Sequence, residues 1–294
     1  MTRVLLIKTG ETETFAAAVS GVPSLGDVLR ATVLLHAFAG DEVTWITSRY
    51  AAPLLKGNPR IARTFLDEDV ADADLQDFDV LVNLEKTERW LAFARRAAIA
   101  SKLGFRWCEP SRVETGKAWQ QGLFALVGRS WNGEEYVVGD IAPSHQSQVG
   151  LNWQVGGRWP TKAWPLDQWK QLAAALGAHG TVSWQEGFDD LTQYLRWIAG
   201  CASLVTTDSL GMHVAIAMKK PVLALFGPTP HWEVDFYGRG RWLAPPPDAF
   251  ACAPCRSPTC FNPIHCMADL SVERVCAEAL LMIAQQAVMT GCGK

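Results

Sequence analysis

The segment that most constrains the fold runs from 205 to 229 and reads VTTDSLGMHVAIAMKKPVLALFGPT. The apolar run Ala202–Val205 is typical of a buried strand, and VLALF near the end of the segment is typical of a second one. Between them, Met212–Met218 has a helical composition, and Pro221 ends that helix. The segment therefore predicts a strand, a helix and a strand, which is the repeating unit of a parallel sheet.

Short polar residues open this helix. They are Thr206, Thr207, Asp208 and Ser209. Their side chains can accept hydrogen bonds from the N–H groups that start a helix, and Gly211 lets the backbone approach a ligand closely. The positive end of a helix is a ready anion site, with a diphosphate as one occupant. The same residues would equally serve as plain helix caps, so both interpretations stand.

Strand-like and helix-like stretches alternate along most of the chain, which predicts an α/β protein with doubly wound parallel sheets. One of the helices is predicted at Val28–Phe38. The polar, proline-containing stretch Ala142–Gln148 is typical of a linker. We therefore predict two domains, 1–146 and 147–294. In such an architecture we expect ligands at the carboxyl ends of the strands, in a cleft between the domains.

Composition excludes several classes of protein. Apolar residues make up 49% of the 294 residues and charged residues 19%, as in a globular chain with a large core. A net charge of −3 argues against a nucleic-acid-binding surface. No apolar run reaches the ~20 residues of a membrane span. The N-terminal MTRVLLIKTG predicts a first strand rather than a signal peptide, so we expect a cytoplasmic protein.

Four of the eight cysteines are spaced C-x₂-C-x₄-C-x₅-C in a Pro/Cys-rich loop, 252–266. They are Cys252, Cys255, Cys260 and Cys266. Four thiolates could hold a structural zinc or iron ion, with His265 as a competing ligand. Unligated thiols are the other interpretation. We expect the remaining cysteines to be ordinary buried or surface thiols; these are Cys108, Cys201, Cys276 and Cys292.

Four motifs occur in a specific order. They are SLGDVLRA after the first strand, VGLNWQVGGRWPTKAWPLDQWKQLAAAL, TTDSLGMHVAIAMKKPVLALFGPT, and YGRG followed by CAPC. Together they resemble the family 9 glycosyltransferases, which are heptosyltransferase-like enzymes of bacterial surface glycan assembly. The resemblance implies a GT-B architecture, in which two Rossmann-like domains face a central cleft. It also implies that the first domain holds the acceptor and the second the nucleotide sugar, with inverting transfer that needs no catalytic metal.

The resemblance assigns two catalytic residues. Asp27 matches the family's catalytic carboxylate, which acts as general base on the acceptor hydroxyl. Lys162 matches its phosphate-binding lysine, which stabilises the leaving diphosphate. Taken alone, Asp27 would be a helix-capping residue and Lys162 a solvated loop residue.

The resemblance also assigns donor-binding residues. The diphosphate turn is matched by Thr207, Asp208, Ser209, Leu210, Gly211 and Met212. His213 follows in the family's usual place, although a buried core histidine is an equal interpretation. Gly227, Pro228 and Thr229 would line the same cleft, and Glu186 is a candidate for the ribose hydroxyls.

One departure from the family concerns the first domain. The segment GETETFAAAVSGVP, residues 10–23, stands between the first strand and SLGD, where family members have a few residues. It could cover the acceptor site or displace Asp27 from it.

The implied donor is an ADP-sugar such as ADP-heptose. The implied acceptor is a glycan, a lipid-linked saccharide or a protein. The resemblance also implies that the enzyme binds peripherally at the inner membrane surface. One alternative is a non-catalytic GT-B module that binds a sugar nucleotide or a partner. Another is a GT-B isomerase or epimerase.

Overall fold

The computed structural model describes residues 1–15, 23–75, 77–106 and 116–291. The chain divides into two compact units, Met1–Asp140 and Ile141–Lys294. The division falls just before the polar segment in which the sequence analysis placed the domain boundary. No helix within the described ranges is both long and apolar enough to cross a membrane.

The first unit is a parallel five-stranded sheet with helices between its strands. The strands are β1 (Arg3–Ile7), β2 (Glu42–Thr47), β3 (Arg63–Leu66), β4 (Val80–Asn83) and β5 (Ser101–Gly104), and the helices are α1 (Leu25–Ala31), α2 (Ala52–Leu55), α3 (Glu88–Arg96) and α4 (Trp119–Leu126). The strand order is β3-β2-β1-β4-β5. Central β1 is apolar and fully buried from Val4 to Ile7, as expected for a strand covered on both faces.

The predicted helix Val28–Phe38 is only partly correct. The α-helix ends at Ala31, and a 3-10 turn continues over Thr32–His36. The Thr32 hydroxyl donates to the Leu29 carbonyl at 2.6 Å and also accepts from the Val137 N–H at 3.0 Å. Side-chain bonds of this kind compete with the helical backbone pattern, which accounts for the tightening.

The second unit is also a parallel five-stranded sheet. Its strands are β6 (Ser147–Asn152), β7 (Val182–Trp184), β8 (Cys201–Thr207), β9 (Val222–Leu225) and β10 (Gly240–Leu243), and its helices are α5 (Leu166–Gly177), α6 (Leu191–Gly200), α7 (Leu210–Ala217) and α8 (Val272–Gly291). The strand order is β10-β9-β8-β6-β7. The predicted α/β class with parallel sheets is thus confirmed.

Each sheet has a point where the strand order reverses. It lies between β1 and β4 in the first unit and between β6 and β8 in the second. In open parallel sheets, ligands bind outside the carboxyl ends of the strands at this point. The residues that follow these four strands are therefore the first place to look for a functional site.

Candidate functional site

The inserted segment leaves Asp27 close to the carboxyl end of β1. The Ser24 N–H donates to the Gly10 carbonyl at 2.6 Å, so the chain returns beside the point where the insert began. A β-carbon on Gly10 would lie only 3.0 Å from Val28, in the first turns of α1. Residues 16–22 of the insert lie outside the described residues. Gly10 and Ser24, at the two ends of the insert, therefore lie next to each other.

The Asp27 carboxylate is held by its surroundings. Asp27 is 8% exposed. Its Oδ2 accepts from the Thr14 N–H at 2.7 Å, and its Oδ1 lies 3.9 Å from Nη1 of Arg30. The Arg30 guanidinium in turn lies over the Trp119 ring, 3.9 Å from its centroid. Asp27 is therefore oriented by a backbone donor and a cation, and the Ser24 side chain before it makes no capping bond.

Lys162 lies against the turn that precedes α7. Its Nζ donates to Oδ2 of Asp208 at 2.7 Å, and Nε2 of His213 is 4.0 Å from Oδ1. Burial by itself raises the pKa of the Asp208 carboxyl, but the charges of Lys162 and His213 outweigh it and hold that pKa well below its usual range. The sequence-predicted Lys162, Asp208 and His213 therefore form one cluster at the carboxyl end of β8.

A buried polar network supports the same turn, and the sequence analysis missed it. The Asn152 amide, at the end of β6, donates to the hydroxyls of Thr206 at 2.7 Å and Ser209 at 2.8 Å. Its Oδ1 accepts from the Tyr194 hydroxyl at 2.6 Å. An asparagine closing the apolar strand VGLN was the available signal, because a buried amide needs polar partners.

In this network Ser209 has a different role from the helix cap that the sequence predicted. Its hydroxyl accepts from Asn152 and makes no capping bond to α7. The first N–H groups of any α-helix lack partners within the helix. Ser209 therefore does not cap α7, and N–H groups at the start of a helix form a site that favours anions.

Three of the other residues predicted for the turn are buried. Met212 is fully buried in the core, and Thr207 is fully buried at the end of β8. A β-carbon on Gly211 would lie 2.3 Å from Oη of Tyr194 and 2.7 Å from Nδ2 of Asn152. Gly211 is therefore required by this protein's own side chains, whereas the sequence analysis explained it by the approach of a ligand. Leu210 is partly exposed.

Gly227 and Pro228 are buried at the end of β9, and Thr229 is partly exposed. A β-carbon on Gly227 would lie 2.6 Å from Sδ of Met267 and 2.9 Å from Sγ of Cys266. The glycine thus permits the end of the cysteine-rich loop to pack against β9.

Glu186 is exposed just after β7. Near it in the sequence, Phe188 contributes to an open cavity of about 440 Å³ with Trp153, Trp164 and His265. The Trp164 indole N–H donates to the Leu270 carbonyl at 2.9 Å, so this tryptophan is fixed in the cavity wall. An apolar, aromatic cavity of this size suits a flat ring.

The predicted metal site is not supported. Cys252, Cys255 and Cys260 are exposed free thiols and Cys266 is a buried one. Burial, together with the three neighbouring thiols, raises the pKa of Cys266 to about 11 in the metal-free chain. Across the described part of the chain, no three His, Cys, Asp or Glu side chains are arranged to hold a metal ion.

Two of the remaining four cysteines lie within the described residues. Cys201 is a buried free thiol and Cys276 a partly buried one. Cys108 and Cys292 lie outside the described residues.

Comparison with known proteins adds independent information. Residues 187–262 match the model of glycosyltransferase family 9 (heptosyltransferase). The chain is heptosyltransferase-like. The family resemblance predicted from the motifs is thus confirmed, and the matched residues include α7, its turn and the cysteine-rich loop as far as residue 262.

A curated relative and two solved structures agree. The chain is 28% identical over 128 residues to lipopolysaccharide heptosyltransferase 1 of Pseudomonas aeruginosa, which is 36% of each chain. It is similar in fold to a family 9 glycosyltransferase of Veillonella parvula, with a TM-score of 0.72 and 16% identity over 97% of each chain. The ADP-heptose lipopolysaccharide heptosyltransferase II of E. coli gives a TM-score of 0.72 and 16% identity, covering 97% of this chain and 99% of that one. The predicted GT-B fold is confirmed.

Proposed function

We propose that this protein is an inverting glycosyltransferase that transfers a sugar, heptose from ADP-heptose, to a hydroxyl group of a glycan, lipid-linked or protein acceptor. The observation that carries the proposal is the pairing of Lys162 with Asp208 beside the start of α7, which the Ser209 side chain does not cap. This cluster lies where the strand order of the second unit reverses. Asp208 and α7 belong to the stretch that matches family 9, and Lys162 precedes that stretch. The E. coli enzyme of the same fold is an ADP-heptose transferase by name.

On the donor side, Lys162 and the start of α7 supply positive charge. The bond between the anomeric carbon and a diphosphate oxygen breaks during transfer, and its electron pair leaves with ADP. A lysine and a helix N-terminus can stabilise this growing negative charge. Asp208 holds Lys162 in place before the donor arrives, and the exposed Glu186 carboxylate is suited to the ribose hydroxyls.

On the acceptor side, Asp27 is the base. Its carboxylate takes the proton of the acceptor hydroxyl while that oxygen forms the new bond to the anomeric carbon. The bond from Thr14 and the nearby Arg30 keep the carboxylate in one orientation. Attack opposite the leaving diphosphate inverts the configuration of the sugar.

Two measurements test the proposal. In a thermal-shift screen of nucleotides, ADP should raise the unfolding temperature of the full chain, because a ligand that binds the folded state stabilises it. With ADP-heptose and a competent acceptor, Asp27→Asn should lower kcat by roughly 10²- to 10⁴-fold, since it removes a general base. Asp77→Asn makes the same change at an exposed carboxylate in the same unit and should leave kcat unchanged.

The outcomes separate the alternatives. A shift with ADP but no transfer to any acceptor would identify a non-catalytic sugar-nucleotide-binding module. Interconversion of the sugar nucleotide without an acceptor would identify an isomerase or epimerase. Full activity of Asp27→Asn would show that another group is the base.

A further inference from the structure

A buried carboxylate outside the proposed catalytic set organises the start of the insert. Glu85, two residues after the end of β4, is fully buried. Its Oε1 accepts from the N–H groups of Thr9 at 2.9 Å and Gly10 at 2.8 Å. Its Oε2 accepts from the Thr12 N–H at 3.1 Å and from the Thr12 hydroxyl. Four donors from residues 9–14, which we call the strap, thus converge on one carboxylate.

Two lysines complete the anchoring. Nζ of Lys8 lies 3.2 Å from Oε1 of Glu85 and donates to the Thr12 carbonyl at 2.5 Å. The Lys86 backbone N–H donates to the Thr12 hydroxyl at 3.2 Å, and its Nζ donates to the Thr14 carbonyl at 2.9 Å. The strap is therefore fixed from residue 9 through residue 14, although it has no regular secondary structure.

The strap ends on the proposed base. The Thr14 amide donates to Oδ2 of Asp27 from the same residue whose carbonyl is bound by Lys86. The next residue, Phe15, packs edge-on against Trp119, with ring centroids 5.1 Å apart. Trp119 also carries the Arg30 guanidinium that approaches Asp27. Both groups that orient Asp27 are thus supported by the strap or its continuation.

Burying a charged pair costs several kcal/mol in desolvation unless its hydrogen bonds are complete. Lys8 and Glu85 are both 0% exposed. They lie just past the ends of β1 and β4, where the strand order of the first unit reverses. Stability alone would be served as well by apolar residues there. What the pair adds is a fixed backbone path from Thr9 to Thr14, which sets the position of a single N–H group.

We propose that Glu85 is a positioning residue for Asp27, acting through the strap and the Thr14 N–H. The inference rests on the proposed function, because it concerns the orientation of the base. Glu85 touches neither substrate in this scheme. Its part is to hold the carboxylate in the rotation that accepts a proton from the acceptor hydroxyl.

The test uses Glu85→Gln in the full chain. The amide keeps one acceptor oxygen but turns an N–H₂ group toward the Thr12 donors, so the strap loses its attachment while side-chain volume is conserved. We expect kcat to fall roughly 10- to 100-fold, the range for a misplaced catalytic group, with the KM for ADP-heptose changed less than about 2-fold. Glu11→Gln, the same change at an exposed strap residue, is the matched control and should leave both constants unchanged.

A second pair of variants isolates the amide itself. Thr14→Pro removes the N–H that Asp27 accepts, whereas Thr14→Ala keeps it. Thr14→Pro should therefore lower kcat at least 10-fold more than Thr14→Ala at equal unfolding temperature. Equal kcat values in the two variants, or a rise in KM with kcat unchanged in Glu85→Gln, would overturn the inference.

Hydrogen exchange at the Thr14 amide tests the positioning role of Glu85 without an activity measurement. The amide should be protected in the wild type and should exchange at least 10-fold faster in both Glu85→Gln and Asp27→Ala. Protection that survives in Glu85→Gln would overturn the inference even in an active enzyme. Absence of sugar transfer by the wild type would instead contradict the proposed function. The exchange result would then still show whether Glu85 fixes the strap and the Thr14 amide.

Discussion

At the scale of single residues, Asp208 shows how one ion pair links stability to the proposed donor site. Its carboxylate is largely buried, with 13% of the side chain exposed, yet it stays charged because Lys162 lies 2.7 Å away. The same lysine is the cation that we assign to the leaving diphosphate. The pair therefore keeps Lys162 in place beside the start of α7.

The pair predicts a pH dependence of stability. The pKa of Asp208 is lower in the folded state than the ~3.9 of an unfolded aspartate, so the unfolded state binds its proton first as pH falls. The contribution is therefore complete above about pH 5 and is lost as pH falls through the folded pKa. Urea unfolding from pH 6 to pH 2 should show wild type losing roughly 1–3 kcal/mol more than Asp208→Asn.

Lys162→Met provides the control for that measurement. Without the cation, burial raises the pKa of Asp208, and the charge of His213 and the Thr229 side chain still oppose that rise. Between pH 6 and pH 2, Lys162→Met should therefore lose less unfolding free energy relative to Asp208→Asn than the wild type does. An equal loss of stability with falling pH in wild type and Asp208→Asn would show that the ion pair does not form.

The residue scale also shows what the sequence could and could not predict. Lys162, Asp208 and His213 were predicted as site residues from their motifs, and the structure brings them together. Glu85 and Asn152 were missed, because each acts through partners that are distant in sequence. Glu85 contacts Thr9 across 76 positions and Asn152 contacts Ser209 across 57. Periodicity and local spacing carry no record of such contacts.

At the scale of elements, α7 depends on the absence of a side chain at Gly211. A β-carbon there would meet Tyr194 and Asn152 below 3.0 Å, and both belong to the network that positions the turn. Gly211→Ala should therefore lower the free energy of unfolding by roughly 1–3 kcal/mol, the usual cost of overpacking. It should also weaken ADP binding, since the network must shift.

Gly177→Ala is the matched control for this substitution. Gly177 is the last residue of α5, and a β-carbon there would meet nothing within 4 Å. Alanine should stabilise that helix by about 0.5–1 kcal/mol. Urea unfolding of both variants makes the comparison; a Gly211→Ala protein as stable as Gly177→Ala would mean that the network adapts freely.

Element boundaries were predictable where the pattern was strong. The apolar run VLALF predicted a strand, and β9 lies there at Val222–Leu225. Strand β10 was missed because Gly240–Leu243 is a short, partly exposed edge strand with little apolar pattern. Its place is fixed by pairing with β9, where Leu243 is opposite Leu225, and that contact is tertiary.

At the scale of the whole molecule, the chain contains two units with the same design. Each has five parallel strands and reverses its strand order once, and each places polar residues after the strands that flank the reversal. In the first unit those residues are the Lys8–Glu85 pair and the strap; in the second they are Asn152 and the Asp208 turn. The same architecture thus presents the carboxylate that we propose as the base in one unit and the lysine that we assign to the diphosphate in the other.

This division predicts where a nucleotide acts. The residues that we assign to the donor, from Lys162 to Thr229, all belong to the unit that begins at Ile141. Saturating ADP alone should therefore slow amide exchange in the turn before α7, at the end of β8 and in the loop after β7. A ligand at 100 times its Kd adds ~2.7 kcal/mol to folded-state stability, or about a 100-fold slowing where exchange requires opening of that unit.

The same experiment tests the assignment of Asp27 to the acceptor. ADP carries no acceptor hydroxyl, so exchange at the Thr14 amide and in α1 should stay within about 2-fold of its rate without nucleotide. Lys162→Ala, measured beside the wild type, should lose most of the protection in the second unit, because the diphosphate loses its cation. Protection centred on the strap and α1 would place the nucleotide in the first unit and would reverse the proposed roles of the two units.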